Sequence, residues 1–172
     1  RLNVSGSAAC PVTLFERWQV LTGQVLLERY GMTEIGMALS NPYDGERRAG
    51  HVGQALPGVE VALYAEDGSR VDEAHTGGGS EAGEIRVRGP NVFLEYWNNP
   101  VATRESFTDG WFRTGDIAVV EDGYFRILGR ASIDIIKSGG YKLSALEIEG
   151  VLLTHEAIHE VAVVSEADET WG

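Results

Sequence analysis

The sequence predicts a mixed α/β fold, rich in strands and divided into two parts. Three observations predict it. Between residues 52 and 128, short apolar runs alternate with polar residues and are cut by glycine-rich turns, the period-two pattern of strands. Near the start, Leu14, Trp18 and Leu21 recur at helical spacing. After Gly129-Arg130 the pattern changes to a short isoleucine-rich run, a glycine turn and a capped helix, which sets a boundary at 129–134.

Taken in order, residues 2–10 begin strand-like and become small and polar at Ser5-Gly6-Ser7-Ala8. Thr13 is the expected cap of the first helix, and Gly23 its end. Val25-Leu26-Leu27, ending at Tyr30-Gly31, has the length of a buried strand. Val59, Val61 and Leu63 alternate up to a turn at Glu66-Asp67-Gly68-Ser69, and residues 72–83 read as a surface loop. Ile85 and Val87, set between Glu84, Arg86 and Arg88, predict a half-exposed strand. Asn99-Pro100 opens a short helix, with Asn as cap and Pro at the first helical position. Asp122-Gly123 between two apolar runs predicts a hairpin. Ile133, Ile135 and Ile136 predict a short strand, Ser144 with Glu147 a capping box for a helix over 145–153, and Val161, Val163 and Val164 a further strand.

Composition removes several function classes. The chain has 172 residues, 26 acidic and 14 basic, and a formal net charge of -12, so a broad nucleic-acid surface is not expected. No apolar run reaches the roughly 18 residues of a membrane span. One cysteine, Cys10, cannot form an internal disulfide, which fits a reducing compartment. The 22 glycines imply many turns or backbone-lined ligand loops. The chain opens without an initiator Met and stops at Trp171-Gly172 just after an apolar run, so it reads as a piece of a longer protein.

Several motifs carry chemistry beside a plainer reading. His155-Glu156-Ala157-Ile158-His159 matches the zinc pattern H-E-x-x-H, but the predicted helix ends at His155 and His159 runs into a strand, so a solvated turn is the simpler expectation. Gly77-Gly78-Gly79 with Gly83 precedes a strand, whereas a dinucleotide fingerprint needs a helix there. No G-x-x-x-x-G-K-[ST] loop occurs, and Ser80 misses the spacing of a nucleophile elbow. In Tyr30-Gly31-Met32-Thr33-Glu34, glycine admits a ligand to the backbone, the threonine hydroxyl suits a phosphate oxygen and the glutamate suits Mg²⁺; a polar turn after a buried strand is the plainer reading. Asp116 in Thr114-Gly115-Asp116 has two oxygens to accept from a ribose diol, or else bonds its own turn. Gly129-Arg130 and Lys137-Ser138-Gly139-Gly140 read alone as a turn and an exposed hairpin.

Together and in order, these segments resemble the adenylate-forming superfamily of acyl-CoA synthetases, luciferases and peptide-synthetase adenylation domains. The resemblance runs from Ser5-Gly6-Ser7-Ala8 and Tyr30 to Glu34 through Gly83-Glu84-Ile85, Tyr96-Trp97 and Trp111 to Asp116, and ends in Gly129-Arg130, Lys137 to Lys142 and Glu147-Ile148-Glu149. Within it the chain is most similar to malonyl-CoA synthetases, including mitochondrial members, at Asn41 to Gly45, Gly53 to Val59, Gly89 to Phe93 and Ser138 to Lys142. Medium- or long-chain fatty-acyl and aryl-CoA ligases share much of the same frame and stay open as alternatives.

The resemblance implies ATP, Mg²⁺ and coenzyme A as cofactors and a small carboxylic acid, malonate, as substrate. It implies that Gly6, Ser7, Ala8, Tyr30 and Gly31 surround the adenine and acyl carbonyl, that Thr33 meets phosphate oxygens and that Glu34 holds Mg²⁺. Asp116 would hold the ribose and Arg130 support ribose or phosphate. Lys137 would lie beside the adenylate during thioester formation, with Ser138, Gly139 and Gly140 along the pantetheine arm. Residues 1–129 would be the end of the large AMP-binding domain, 130–134 the hinge and 135–172 the start of the small domain. Most relatives place Asp or Lys two residues after the arginine; this chain has Ser132, which leaves the pivot open among Ser132, Ile133 and Asp134.

The family's phosphate loop and its C-terminal catalytic lysine are expected outside this chain, so the isolated piece is expected to be inactive. The implied compartment is the cytoplasm or the mitochondrial matrix. Arg47 or Arg48 could meet the second carboxylate of malonate, or else form a solvated basic turn. Two readings from other classes are a zinc hydrolase through His155 and His159 and a non-catalytic binding module.

Overall fold

The computed structural model describes residues 1–71 and 81–171. The expected loop tip with His75, Gly77 to Gly79 and Ser80 lies outside them.

The chain enters through β1 (Val4–Ser5) and then α1 (Val12–Thr22). Pro11, with its fixed φ, stands at the N-cap in place of Thr13, and Gly23 ends the helix in the left-handed region, its N–H donating to the Gln19 carbonyl at 2.8 Å. The inward side chain is Phe15; Leu14 and Leu21 of the expected stripe are exposed. Next come β2 (Leu27–Met32), two residues later than expected, β3 (Gly36–Ser40) and β4 (Gln54–Ala55). β1 runs parallel to β2, and β2, β3 and β4 pair antiparallel. The ladder slips between Tyr30 and Gly31, where the strand approaches β3 so closely that a Cβ on Gly31 would collide with the Gly36 carbonyl.

The second sheet is built from β5 (Glu60–Tyr64), β6 (Gly83–Arg88), β7 (Phe107–Thr108), β8 (Trp111–Glu121) and β9 (Tyr124–Arg130). Its order is β5-β6-β8-β7, with β9 also on β8. β6 departs from the half-exposed expectation. Ile85 and Val87 are buried on one face, and Arg86 is buried on the other because Tyr64 covers its guanidinium at 4.2 Å and Glu84 pairs with it at 3.2 Å. Between β6 and β7, α2 (Pro100–Glu105) starts where the Asn99 side chain accepts from the Ala102 amide at 3.1 Å. Asp122 and Gly123, both at positive φ, make the tight β8–β9 turn. The two sheets share one core, in which Ile35, Leu39, Leu63, Ile85 and Val87 are fully buried.

Beyond Arg130 the chain forms a two-stranded hairpin, β10 (Ile135–Ser138) and β11 (Tyr141–Ser144), turned by Gly139 and Gly140 at positive φ, and then α3 (Ala145–Leu152). Ile133 falls in the preceding turn and is exposed, not in the strand. Ser144 caps α3 by accepting from the Glu147 amide at 3.1 Å and donates to the Leu128 carbonyl at 2.5 Å. The cap is one-sided, because the Glu147 carboxylate turns away to Arg126. Val161 to Val164 form no strand: among the described residues no strand pairs with them, and the Val163 amide donates to Glu149 Oε1 at 2.8 Å instead.

Candidate active site

A cavity of about 950 Å³ lies between the N-terminal segment, β2, the ends of β8 and β9, and α3. Of the residues singled out in the sequence, Gly6, Ser7, Ala8, Tyr30, Gly31, Asp116, Arg130 and Asp134 line it. Ser7 sits at φ 69, a left-handed conformation rare for serine and a local strain of the kind that accompanies functional loops.

The centre of the wall is a three-residue network in which Tyr30 and Asp116 are buried and Arg130 is exposed. Asp116 and Arg130 oppose each other in the β8–β9 ladder, and their side chains pair at 3.2 Å from Arg130 Nη2 to Asp116 Oδ1. The Tyr30 hydroxyl donates to Asp116 Oδ2 at 2.6 Å. Thr114, two residues earlier in β8, braces the strand: its hydroxyl accepts from the Asp116 amide at 3.1 Å and donates to the Ile85 carbonyl at 2.7 Å. Burial pushes the Asp116 carboxyl up from its ordinary value, while Tyr30's hydrogen bond and Arg130's charge draw it back. Burial, then the Asp116 charge, raises the Tyr30 phenol. Each Asp116 oxygen has one partner and retains acceptor capacity, so the pair suits a vicinal diol.

Behind Arg130, the Asp134 carboxylate accepts from the Arg130 amide at 2.7 Å. Gly129, at φ 134, makes room for it, since a Cβ there would press on Asp134. Ser132 and Ile133 lie in the same turn but do not line the cavity.

Thr33 and Glu34 stand in the β2–β3 turn, just past Met32 on the cavity wall. Thr33 is exposed; the Glu34 carboxylate accepts from the Tyr96 hydroxyl at 3.0 Å through Oε1. Lys137 is away from the cavity, with its Nζ 2.8 Å from Glu66, and Lys142 is 3.5 Å from the same carboxylate. Ser138, Gly139 and Gly140 share that hairpin, where the Gly139 amide donates to the Trp171 carbonyl at 2.9 Å.

Arg47 and Arg48 hold structure instead of facing the cavity. Arg47 donates from Nε, Nη1 and Nη2 to the carbonyls of Pro42, Val25 and Tyr43. Arg48 pairs with Glu46 and Asp122 and lies 4.4 Å from the Tyr124 ring centre. The Asn41-Pro42-Tyr43-Asp44-Gly45 segment is likewise structural, because buried Asn41 donates to the Glu28 carbonyl at 3.0 Å and the His51 carbonyl at 2.6 Å. The H-E-x-x-H residues follow the end of α3, so no helix face carries both imidazoles, and His155 Nδ1 accepts from the Ala157 amide at 3.2 Å. Among the described residues no group of three His, Cys, Asp or Glu is placed to hold a metal. No helix among them is long and apolar enough to cross a membrane.

Glu28 and Arg29 are among the cavity residues that no motif marks. Glu28 is buried, accepts from the Gly50 amide at 2.9 Å, and has its carboxyl pushed up to about 7, chiefly by burial. Arg29 lines the cavity, lies against the Met37 sulfur, and has no ion pair among the described residues. The available signal is a Glu-Arg pair directly after the apolar run Val25-Leu26-Leu27 and before Tyr30.

Comparison with known proteins gives a consistent picture. The family model described as AMP-binding enzyme matches residues 1–97. The mitochondrial malonate–CoA ligase ACSF3 of Xenopus laevis is 54% identical over 187 residues, covering 100% of this chain and 32% of the relative. The chain thus spans about a third of the length of the curated relatives it matches. An ATP-bound RpMatB-BxBclM chimera superposes with a TM-score of 0.90 at 40% identity, covering 100% of this chain and 33% of that one. A malonyl-CoA ligase ternary product complex with methylmalonyl-CoA and AMP gives 0.68 at 53% identity, over 99% and 36% of the two chains.

Proposed function

Because the chain belongs to the AMP-binding enzyme family, we propose that it is part of an ATP-dependent acid–thiol ligase acting on malonate. The carboxylate attacks the α-phosphate of ATP, giving acyl-adenylate and pyrophosphate; the thiol of coenzyme A then displaces AMP. The observation that carries this reading is the Tyr30–Asp116–Arg130 network on the cavity wall, which offers two oxygens to a ribose diol and a guanidinium to the neighbouring charge.

The roles follow from placement. Gly6, Ser7 and Ala8 with Tyr30 and Gly31 form the wall for adenine and acyl group. Asp116 holds the ribose, and Arg130 supports it. Thr33 offers its exposed hydroxyl to phosphate oxygens. The donor set fits Mg²⁺, which is usually bound by one or two carboxylates together with substrate phosphates: Glu34 commits Oε1 to Tyr96, and Oε2 is available. Bound there, the ion would offset phosphate charge during in-line displacement.

For malonate, the second carboxylate needs a cation. Arg126 is paired with Glu121 and Glu147 and Arg130 with Asp116, which makes Arg29 the cavity guanidinium with charge to offer. The names of the relatives support the same acid and a mitochondrial location, within which the matrix is the proposed compartment, with the cytoplasm as alternative.

Residues 130–134 act as hinge between the large domain and a small one beginning at 135, with Asp134, which touches both Gly129 and Arg130, the best placed pivot. The higher TM-score with the ATP-bound chimera supports an adenylation-side pose. In that pose Lys137 rests on Glu66, and it would reach the adenylate with Ser138, Gly139 and Gly140 only after the small domain swings.

The test is thioester formation by the full-length protein with malonate, methylmalonate, acetate and longer acids. Malonate should be preferred, and Arg29→Ala should raise its KM while sparing acetate. Preference for a long monocarboxylate would overturn the malonate assignment.

A further inference from the structure

We propose that Tyr96 is a positioning residue that holds the Glu34 carboxylate ready for its metal ion, an inference that rests on the reading of Glu34 given above. Three bonds tie one segment onto the turn. Tyr96 Oη donates to Glu34 Oε1 at 3.0 Å, the Phe93 amide donates to the Glu34 carbonyl at 2.7 Å, and Asn91 Nδ2 donates to the Ile35 carbonyl at 2.6 Å. The segment from Asn91 to Tyr96 thus grips both the backbone and the side chain of the turn.

The grip is itself anchored. The Phe93 ring lies 4.7 Å from Tyr96, 5.4 Å from Phe112 and 5.7 Å from Phe107, and so belongs to the core of the second sheet. The Tyr96 amide donates to Thr103 Oγ1 at 3.0 Å, which fastens the segment to α2. A turn of the first sheet is thereby located by the second.

The chemistry explains why a tyrosine suits this place. A glutamate in a hairpin turn has three rotatable side-chain bonds, and fixing them costs free energy whenever it takes up a ligand. One hydrogen bond to Oε1 removes most of that freedom beforehand. The phenol is neutral, so it orients the carboxylate without cancelling its charge, and it leaves Oε2 available. Outer partners of this kind tune metal affinity by roughly ten- to a hundredfold.

The experiment uses the full-length protein and measures ATP binding by titration calorimetry over a series of Mg²⁺ concentrations, with thermal unfolding alongside. Tyr96→Phe retains the ring and its packing. It should raise the Mg²⁺ concentration for half-maximal ATP binding roughly tenfold, with the melting temperature nearly unchanged. In a Glu34→Gln background the same substitution should add nothing further. Tyr96→Phe that lowers only the melting temperature, while Glu34→Gln alone shifts the Mg²⁺ dependence, would overturn the positioning role. Glu34→Gln with unaltered Mg²⁺ dependence would instead overturn the metal-holding reading beneath it.

Discussion

The Tyr30 hydroxyl and the Asp116 carboxylate, 86 residues apart in sequence, meet at 2.6 Å in the wall of the cavity. The bond joins the first sheet to the second at the place proposed above for a nucleotide sugar. Tyr30→Phe deletes it with little change of shape. Since a hydrogen bond to a charged group contributes about 1.5–3 kcal/mol, urea unfolding should show a loss near the lower end, because water in the cavity can reach the freed oxygen. An unchanged midpoint would mean that the bond contributes nothing.

Glu28 makes stability depend on pH. Its carboxyl moves from an ordinary 4.5 to about 7, first through burial, against the Gly50 amide and the His51 charge. Between those values the folded chain holds a proton that the unfolded chain has released. The stability this confers is complete below about pH 4.5 and is lost as pH rises through about 7. Glu28→Gln should flatten that slope and stabilise the chain at pH 8 by about 1–3 kcal/mol. Parallel unfolding curves for both forms from pH 5 to 8 would refute the assignment.

Two neighbouring glycines should respond differently to alanine. At Gly31 the new methyl would strike the Gly36 carbonyl, part of the backbone of β3, so a loss of about 3 kcal/mol is expected. At Gly36 nothing lies within 4 Å, and only the φ of +54 opposes a side chain, for about 1–2 kcal/mol. Chemical denaturation of the two variants should rank them in that order.

Glu66 tethers the β10–β11 hairpin through Lys137 and Lys142. All three side chains are solvated, so the tether is electrostatic and sensitive to screening. Glu66→Gln should speed amide hydrogen exchange across residues 135–144, and high salt should bring the parent chain to the same rate. Identical exchange at low salt would show that the hairpin is held by other contacts.

Local chemistry was legible in the sequence, and distant chemistry was not. Asn99-Pro100, Asp122-Gly123 and Ser144 with Glu147 act within a few residues, and each forms the element it predicts. Arg86 misleads because its cover, Tyr64, comes from another strand. Val161 to Val164 have strand composition, but a ladder requires a neighbour. Thr13 was a sound cap residue displaced by a proline two positions earlier, whose φ already fits the helix entry. Gly6 to Ala8, Tyr30, Gly31, Asp116 and Arg130, far apart in sequence, line one cavity. Lys137 stands apart because its partner, Glu66, is far away in sequence. Glu28 and Arg29 are visible as charges at the end of an apolar run, but their importance depends on the cavity beside them.

Asp116 and Arg130 occupy the same rung of the β8–β9 ladder, and the Arg130 amide is held by the side chain of Asp134. A molecule that donates hydrogen bonds to Asp116 therefore bears on the same carboxylate that pairs with Arg130 at the start of the proposed bend. By thermodynamic reciprocity, whatever occupancy does to the ease of the bending proposed at 130–134, that bending would do equally to the affinity for the occupant. In the proposed hinge, sensing and actuation would be separated by a single side chain, with no relay through the body of the protein required.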